Sequence, residues 1–297
     1  GEEELTDWFH KYTVTQVAEI DLVGDQPDVI TSYDYEGGAA WAHAEPDGIT
    51  PEENQTWSLF RGYETVKVRT GHPEATQTEE EHLFYRGMDG DELPDGGSRS
   101  VTITDSEGNE VTDDERFNGQ TREVITRNGP DGPVVEKTIS EPWKKKTAER
   151  DYSWGTLQAH IIKTKSSETY TALGKDGADG WRTTRTTNTF DDRGYVVETH
   201  DEGDIGDPGD DRCTLTTYNR NTDAWIMETV SRVQTLDVAC ADADTADKPG
   251  DVISDVRTHF DGKAYGEEPT EGLPTASERV DDYADGKPQY QMTGETT

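Results

Sequence analysis

Apolar residues in this chain alternate with polar ones in short runs and do not recur at helical spacing. Val66-Lys67-Val68-Arg69 and Val101-Thr102-Ile103-Thr104 are clean examples. Period-two alternation rich in Val, Ile, Thr and aromatics predicts half-buried strands. On this basis strands are expected at 57–69, 82–86, 99–104, 121–127, 134–139, 213–218, 224–236 and 252–260, with 153–164 and 168–173 as a pair and 180–187 leading into a hairpin. Residues 1–30 carry at most one strand or short helix, and 37–51 read as a Gly-, Ala- and Pro-rich loop. Thr and Val dominate and turns come often, so helix should be below roughly one tenth. The expected organisation is an N-terminal strand or linker at 1–30, then one β-sheet region over 31–297 with a weak boundary near 141–151.

The strands are punctuated by a recurring motif: an aromatic residue, an Asp, and a Gly three positions after the Asp. It reads Tyr33-Asp34-Tyr35-Glu36-Gly37 and Phe190-Asp191-Asp192-Arg193-Gly194. Degenerate copies are Tyr218-Asn219, Phe260-Asp261-Gly262 and Tyr283-Ala284-Asp285-Gly286, and Asp105-Ser106-Glu107-Gly108 has the same turn after a strand. Asp opening a type I turn accepts backbone N–H groups ahead of it, and Gly closes the fourth position. The aromatic is the last inward side chain before the reversal, so Phe190 is expected in the core. Asn128-Gly129 and Asp131-Gly132-Pro133 mark further turns.

Hydrophobic residues make up only 30% of the 297, and mean hydropathy is −0.96. Such values border on disorder, but seven Trp, twelve Tyr and six Phe are spread along alternating runs. Thin sheets with one buried and one very polar face fit better. The net charge of −36 repels phosphate, which argues against nucleic-acid binding and against anionic membranes. Acidic residues are scattered over the whole chain, which favours adaptation to high salt over divalent-cation binding as their main cause.

No run approaches the roughly 18 apolar residues of a membrane helix. The chain opens on Gly1-Glu2-Glu3-Glu4 and closes on Gly294-Glu295-Thr296-Thr297, and is read as a piece of something longer. Cys213 and Cys240 flank a polar, Asp-rich stretch. Two free thiols would suit the cytosol. A disulfide, worth about 3–4 kcal/mol for such a loop, and an oxidising compartment are the favoured reading. Asn54-Gln55-Thr56 is a glycosylation triplet.

Motifs for metalloproteases, serine hydrolases, phosphate-binding loops and paired-Cys metal sites are all missing from the sequence. Paired carboxylates are too common here to indicate glycosidase chemistry. Asp105, Glu107, Asn109, Val111 and Asp113 alternate like calcium ligands, but Glu110 stands where Gly is wanted and Arg116 where Glu is wanted. A solvated hairpin is the preferred reading there. Asp201, Asp204, Asp207, Asp210 and Asp211 form a similar cluster, and Lys144-Lys145-Lys146 is expected to pair with nearby carboxylates. No catalytic, cofactor or metal residue is assigned; calcium is the one ion the acidic loops suggest.

The aromatic-Asp-x-x-Gly hairpins resemble the YD repeats of bacterial Rhs proteins, shared with teneurins and toxin-complex shell proteins. Longer segments resemble large secreted actinobacterial Rhs-repeat proteins: 56–66, 84–91, 99–105, 211–218 and 252–262. The resemblance implies an all-β fold, repeated hairpins forming a spiralled sheet that is a segment of a cocoon-like shell. It also implies a non-catalytic role outside the cell or at its surface, enclosing or presenting a C-terminal toxin or adhesion module. The implied partners are the rest of a longer chain, an enclosed domain and further copies. The chain shows no recognisable toxin domain or core-closing segment, and it is unusually acidic for the family. The alternative is an extracellular adhesin or filament subunit with cation-bridged acidic loops.

Overall fold

In the computed structural model, residues 8–24, 27–174 and 177–295 are described. Among them there is no α-helix, only strands, turns and single 3-10 turns. The strands are β1 (Gln16–Glu19), β2 (Val29–Ala42), β3 (Leu59–Thr70), β4 (Thr78–Phe84), β5 (Thr102–Thr104), β6 (Glu110–Thr112), β7 (Thr121–Arg127) and β8 (Val134–Tyr152). They continue as β9 (Gly155–Ala172), β10 (Trp181–Phe190), β11 (Val196–Asp204), β12 (Arg212–Tyr218), β13 (Val230–Leu236), β14 (Val252–Phe260), β15 (Pro274–Ala284) and β16 (Lys287–Glu295). Fourteen form one sheet in which spatial order follows chain order; β5 and β6 pair separately as a hairpin inserted between β4 and β7. The ladder is antiparallel from β1 through β8 and again from β10 through β16.

The chain divides into two compact units, one running to Lys163 and including Thr169–Arg182, the other comprising Thr164–Glu168 and the chain from Thr183. Residues 141–151, where the sequence suggests a boundary, lie inside β8. Their polar side chains are those of an exposed strand. The expected pair 153–164 and 168–173 is a single 18-residue strand, β9. Lys165-Ser166-Ser167 contains no Gly, Pro or Asn to break it. The 37–51 loop is also shorter than expected. Gly37 and Gly38 take φ of +80° and +72° and absorb a β-bulge between Glu36 and Ala39, after which β2 resumes pairing with β3 to Ala42. Likewise, residues 224–229 belong to a loop, and β13 starts at Val230.

Each unit has a small apolar centre. In the first, Ala40, Ala42 and Met88 are packed with Val101. In the second, Cys213, Leu236 and Ala243 are packed with Leu215, Val238 and Val252. The Sγ atoms of Cys213 and Cys240 are bonded, with Cα atoms 4.8 Å apart. Outside these centres, buried apolar residues such as Ile103, Ile125 and Ile139 alternate with many buried polar ones: Glu79, Asp105, Asp113, Arg122, Glu123, Lys137, Gln234 and Asp255. Because burying a charge is costly unless it is paired, the arrangement of these groups dictates much of the local geometry.

Candidate functional site

The first unit concentrates its buried charge where the β5–β6 hairpin sits on β7 and β8. Three consecutive turn residues each engage one sheet residue. The Asp105 carboxylate takes the Arg122 guanidinium at 2.6 Å. Ser106 donates its N–H (2.9 Å) and hydroxyl (2.5 Å) to Glu123, and Glu107 pairs with Lys137. Lys137 also faces the Tyr170 ring at 4.7 Å. The far end of the hairpin is held by Asp113, whose carboxylate accepts the backbone N–H groups of Arg86, Gly87 and Met88 at 2.8, 2.8 and 3.1 Å. Beside this lock, Glu79, fully buried, takes Arg69 at 2.6 Å and the Asp131 N–H at 3.2 Å.

The tip of this hairpin and the Phe190–Gly194 motif are the same turn. Gly108 N–H donates to Asp105 O and Gly194 N–H to Asp191 O, both at 3.0 Å. Asp105 N–H donates to Asn109 O, and Asp191 N–H to Tyr195 O. In each turn Asp Oδ1 accepts the N–H groups two and four residues on, from Glu107 and Asn109 or Arg193 and Tyr195. Gly108 and Gly194 have φ of +85° and +80°, the region that favours glycine. In each turn the Asp also binds a distant Arg, Arg122 of β7 at 2.6 Å or Arg220, just past the end of β12, at 2.6 Å. Burial works against ionisation of both aspartates. Backbone N–H donors and the Arg outweigh it, and both carboxyls are held below the usual carboxylate range.

Arg220 extends this second turn into an aromatic stack. Its guanidinium lies 4.4 Å from the Tyr218 ring and 4.8 Å from the Tyr195 ring, and the Tyr218 hydroxyl donates to Val196 O at 2.9 Å. Tyr218 thus ends β12 and braces the neighbouring hairpin. Phe190, expected in the core, is only half-buried. It ends β10 opposite Val196.

The other copies of the motif form different structures. Tyr33, Asp34 and Gly37 do not make a turn. They lie in mid-strand, with Asp34 paired to Arg69 at 2.5 Å. Phe260 is buried, but Asp261 and Gly262 take φ of +56° and +68°, with the Lys263 N–H on Phe260 O at 3.0 Å. This is a type I′ reversal. The Asp261 carboxylate turns to the far end of its loop and accepts the N–H groups of Thr270, Glu271, Gly272 and Leu273. Desolvation opposes ionisation of Asp261, but these four donors hold its carboxyl well below the usual range. Asp285-Gly286 is a two-residue hairpin turn between Ala284 and Lys287.

The second unit carries its own buried pair, which the sequence reading missed. Asp255 takes both Arg232 Nε at 2.8 Å and Nη2 at 2.5 Å, with Gln234 Nε2 at 3.1 Å. Burial, reinforced by Asp255, pushes the Tyr290 hydroxyl up to about 12. Its sequence signal was the alternation Arg232-Val233-Gln234 opposite Asp255-Val256-Arg257, polar residues sharing a strand face.

The acidic clusters that suggested calcium are engaged by backbone donors and by basic side chains. In the 105–113 series the Asp105 and Asp113 oxygens accept N–H groups and Glu107 pairs with Lys137. In the second cluster Asp201, Asp204 and Asp207 each cap the glycine two residues on, Gly203, Gly206 and Gly209. Asp210 accepts the Asp204 N–H, and Asp211 faces His200 at 3.3 Å. Repeated Asp-x-Gly turns explain that acidic loop without an ion. Lys144 pairs with Asp114 and Lys146 with Glu149.

No family model and no curated protein matches the sequence. Solved structures are similar in fold. The chain is similar to the TcdB2-TccC3-Cdc42 complex (TM-score 0.54, 12% identity) and to the Photorhabdus luminescens Tc holotoxin pore with a TccC3 mutation (0.55, 12%). It is similar also to TcdB2-TccC3 (0.53, 13%). Each match covers 85% of this chain but 15% of the other. The chain therefore spans about 15% of the length of the chains it matches. The likeness is one of fold: the all-β, fourteen-strand sheet resembles part of these Tc toxin chains.

Proposed function

We propose that the chain is a non-catalytic shell segment of a larger secreted Rhs/YD-repeat protein, one that encloses or presents a C-terminal toxin or adhesion module. The observation that carries this reading is the strict sequential order of the strand ladder, together with its similarity to Tc toxin chains over 85% of its length. A ladder of this kind grows by adding strands at its ends, which suits a wall. The polar interior suits it too: buried ion pairs add little net stability over apolar packing, but they fix register and hairpin placement. The acidic surface is read as an adaptation to salt-rich surroundings, and the bonded Cys213 and Cys240 as one to an oxidising compartment.

The test is to express the natural gene product whole and image it by electron microscopy. A hollow shell with protein density inside is the expected result. A solid globular body, or filaments without a lumen, would reject the shell reading and favour the adhesin.

A further inference from the structure

Three side chains with metal-ligand chemistry meet at the apolar centre of the second unit. Glu198 of β11 stands opposite Leu215 of β12, on the strand face it shares with Cys213. Cys240 opens the 3-10 turn Cys240–Asp242, which packs on both strands. One carboxylate oxygen of Glu198 and the two sulfurs all lie within 4.8 Å of one another. We propose that in the reduced chain these three side chains bind a soft divalent cation of the zinc type, and that forming the Cys213–Cys240 disulfide releases it.

Glu198 is the member that the disulfide alone leaves unexplained. It is half-buried against an apolar centre made by Cys213, Leu236 and Ala243 with Leu215 and Val252. Its hydrogen bond is one long contact from the Thr189 hydroxyl, at 3.3 Å, and among the described residues it pairs with no Lys, Arg or His. A carboxylate taken partly out of water without a cation is costly, and bonded sulfurs offer it nothing. Two thiolates and a carboxylate around one ion satisfy all three groups. Sulfur ligands select zinc-type ions over calcium or magnesium. Tetrahedral zinc holds its sulfurs about 3.8 Å apart, a spacing that side-chain rotation reaches from Cα atoms 4.8 Å apart. The fourth position is left to water. His200 stands opposite Cys213 but faces Asp211 at 3.3 Å, so it is not counted as a ligand.

The conversion balances. A dithiol reductant passes two electrons and two protons to the disulfide and is itself oxidised to a disulfide; the ion then displaces both thiol protons. Cys213 is 0% exposed, so the ion enters past the half-buried Cys240 and Glu198. Asp237, Asp242, Asp244, Asp247 and Asp251 lie along the loop that carries Cys240, and their charge raises the local cation concentration. The use of such a site rests on the reading of an oxidising destination, with the ion held before export and lost on arrival; the binding itself does not.

The test is to reduce the purified chain with a phosphine, exclude air, and titrate it with Co2+ as a probe for zinc. A thiolate-to-cobalt absorption band and the visible bands of tetrahedral cobalt are expected, saturating at one ion per chain and bleached by Zn2+. The oxidised chain should show neither. Cys213→Ser and Cys240→Ser should each abolish the bands. Glu198→Gln, which keeps both sulfurs, should weaken Co2+ binding by at least the roughly tenfold that losing even an outer-shell partner costs. Because reduction also weakens the fold, Zn2+ should raise the Tm of the reduced chain where Ca2+ does not. Absence of the thiolate band, equal binding by the oxidised chain, unchanged affinity in Glu198→Gln, or bands that persist in urea that unfolds the chain would overturn the assignment.

Discussion

The Asp105 and Asp191 turns make the same backbone bonds, yet they sit in different surroundings. The Asp105 side chain is 0% exposed and that of Arg122 7%, whereas Asp191 and Arg220 are each 19% exposed. Asp105 is sealed beneath a hairpin whose next two residues also grip the sheet. Asp191 stands at the tip of a hairpin of the main sheet, and its Arg leans on two tyrosines that would remain without it. Local sequence makes the turn in both places, while packing decides how much depends on it.

The comparison breaks most visibly if the buried Asp is removed. Asp105→Ala leaves Arg122 buried without its carboxylate and is expected to cost about 3–5 kcal/mol, read by urea unfolding. Replacing Cys213 and Cys240 by Ala should cost about 3–4 kcal/mol, with reductant alone giving a similar loss in the parent chain. Asp191→Ala should cost about 1–2 kcal/mol, since water screens the exposed pair and the stack persists. Phe190→Ala belongs in the same range, about 1–2 kcal/mol, below the 3–5 of a full core Phe. A larger loss would show that it packs as a core residue does.

Acid should sharpen the contrast. Both carboxyls have folded pKa values below their unfolded ones. The unfolded chain therefore binds more protons in that interval, so the stability they supply is present above about pH 4 and is lost as pH falls through the folded values. Asp105→Asn should flatten the acid limb of the stability curve more than Asp191→Asn does. At the other extreme, the raised Tyr290 hydroxyl supplies stability that fades between about pH 10 and 12, and Tyr290→Phe should remove that decline. The smallest effect expected is a gradual rise in Tm with NaCl, as screening relaxes carboxylate repulsion. A flat response would remove the high-salt reading.

Much of this was legible in the sequence. Period-two alternation located most strands, and Asp-x-x-Gly located two turns in full, because a turn is specified by the residues inside it. Gly37 misled because the same left-handed glycine serves a bulge as well as a reversal, and only the pairing of Ala39–Ala42 with β3 distinguishes them. The long β9 was hidden for the converse reason: polar residues do not end a strand whose partner continues. The ionic lock was not legible at all. Glu107 and Lys137, or Asp105 and Arg122, meet only through the register of β7 with β8 and the placement of an inserted hairpin. In so acidic a chain, nothing local separates a buried carboxylate from an exposed one.

The most direct test is a pair of double-mutant cycles by equilibrium unfolding, one on Asp105 and Arg122, the other on Asp191 and Arg220. A coupling of about 2 kcal/mol or more for the buried pair and about 1 kcal/mol or less for the exposed one is the predicted result. Equal couplings, or a larger one at Asp191, would contradict the claim that packing around the turn, and not the turn itself, decides how much depends on its Asp.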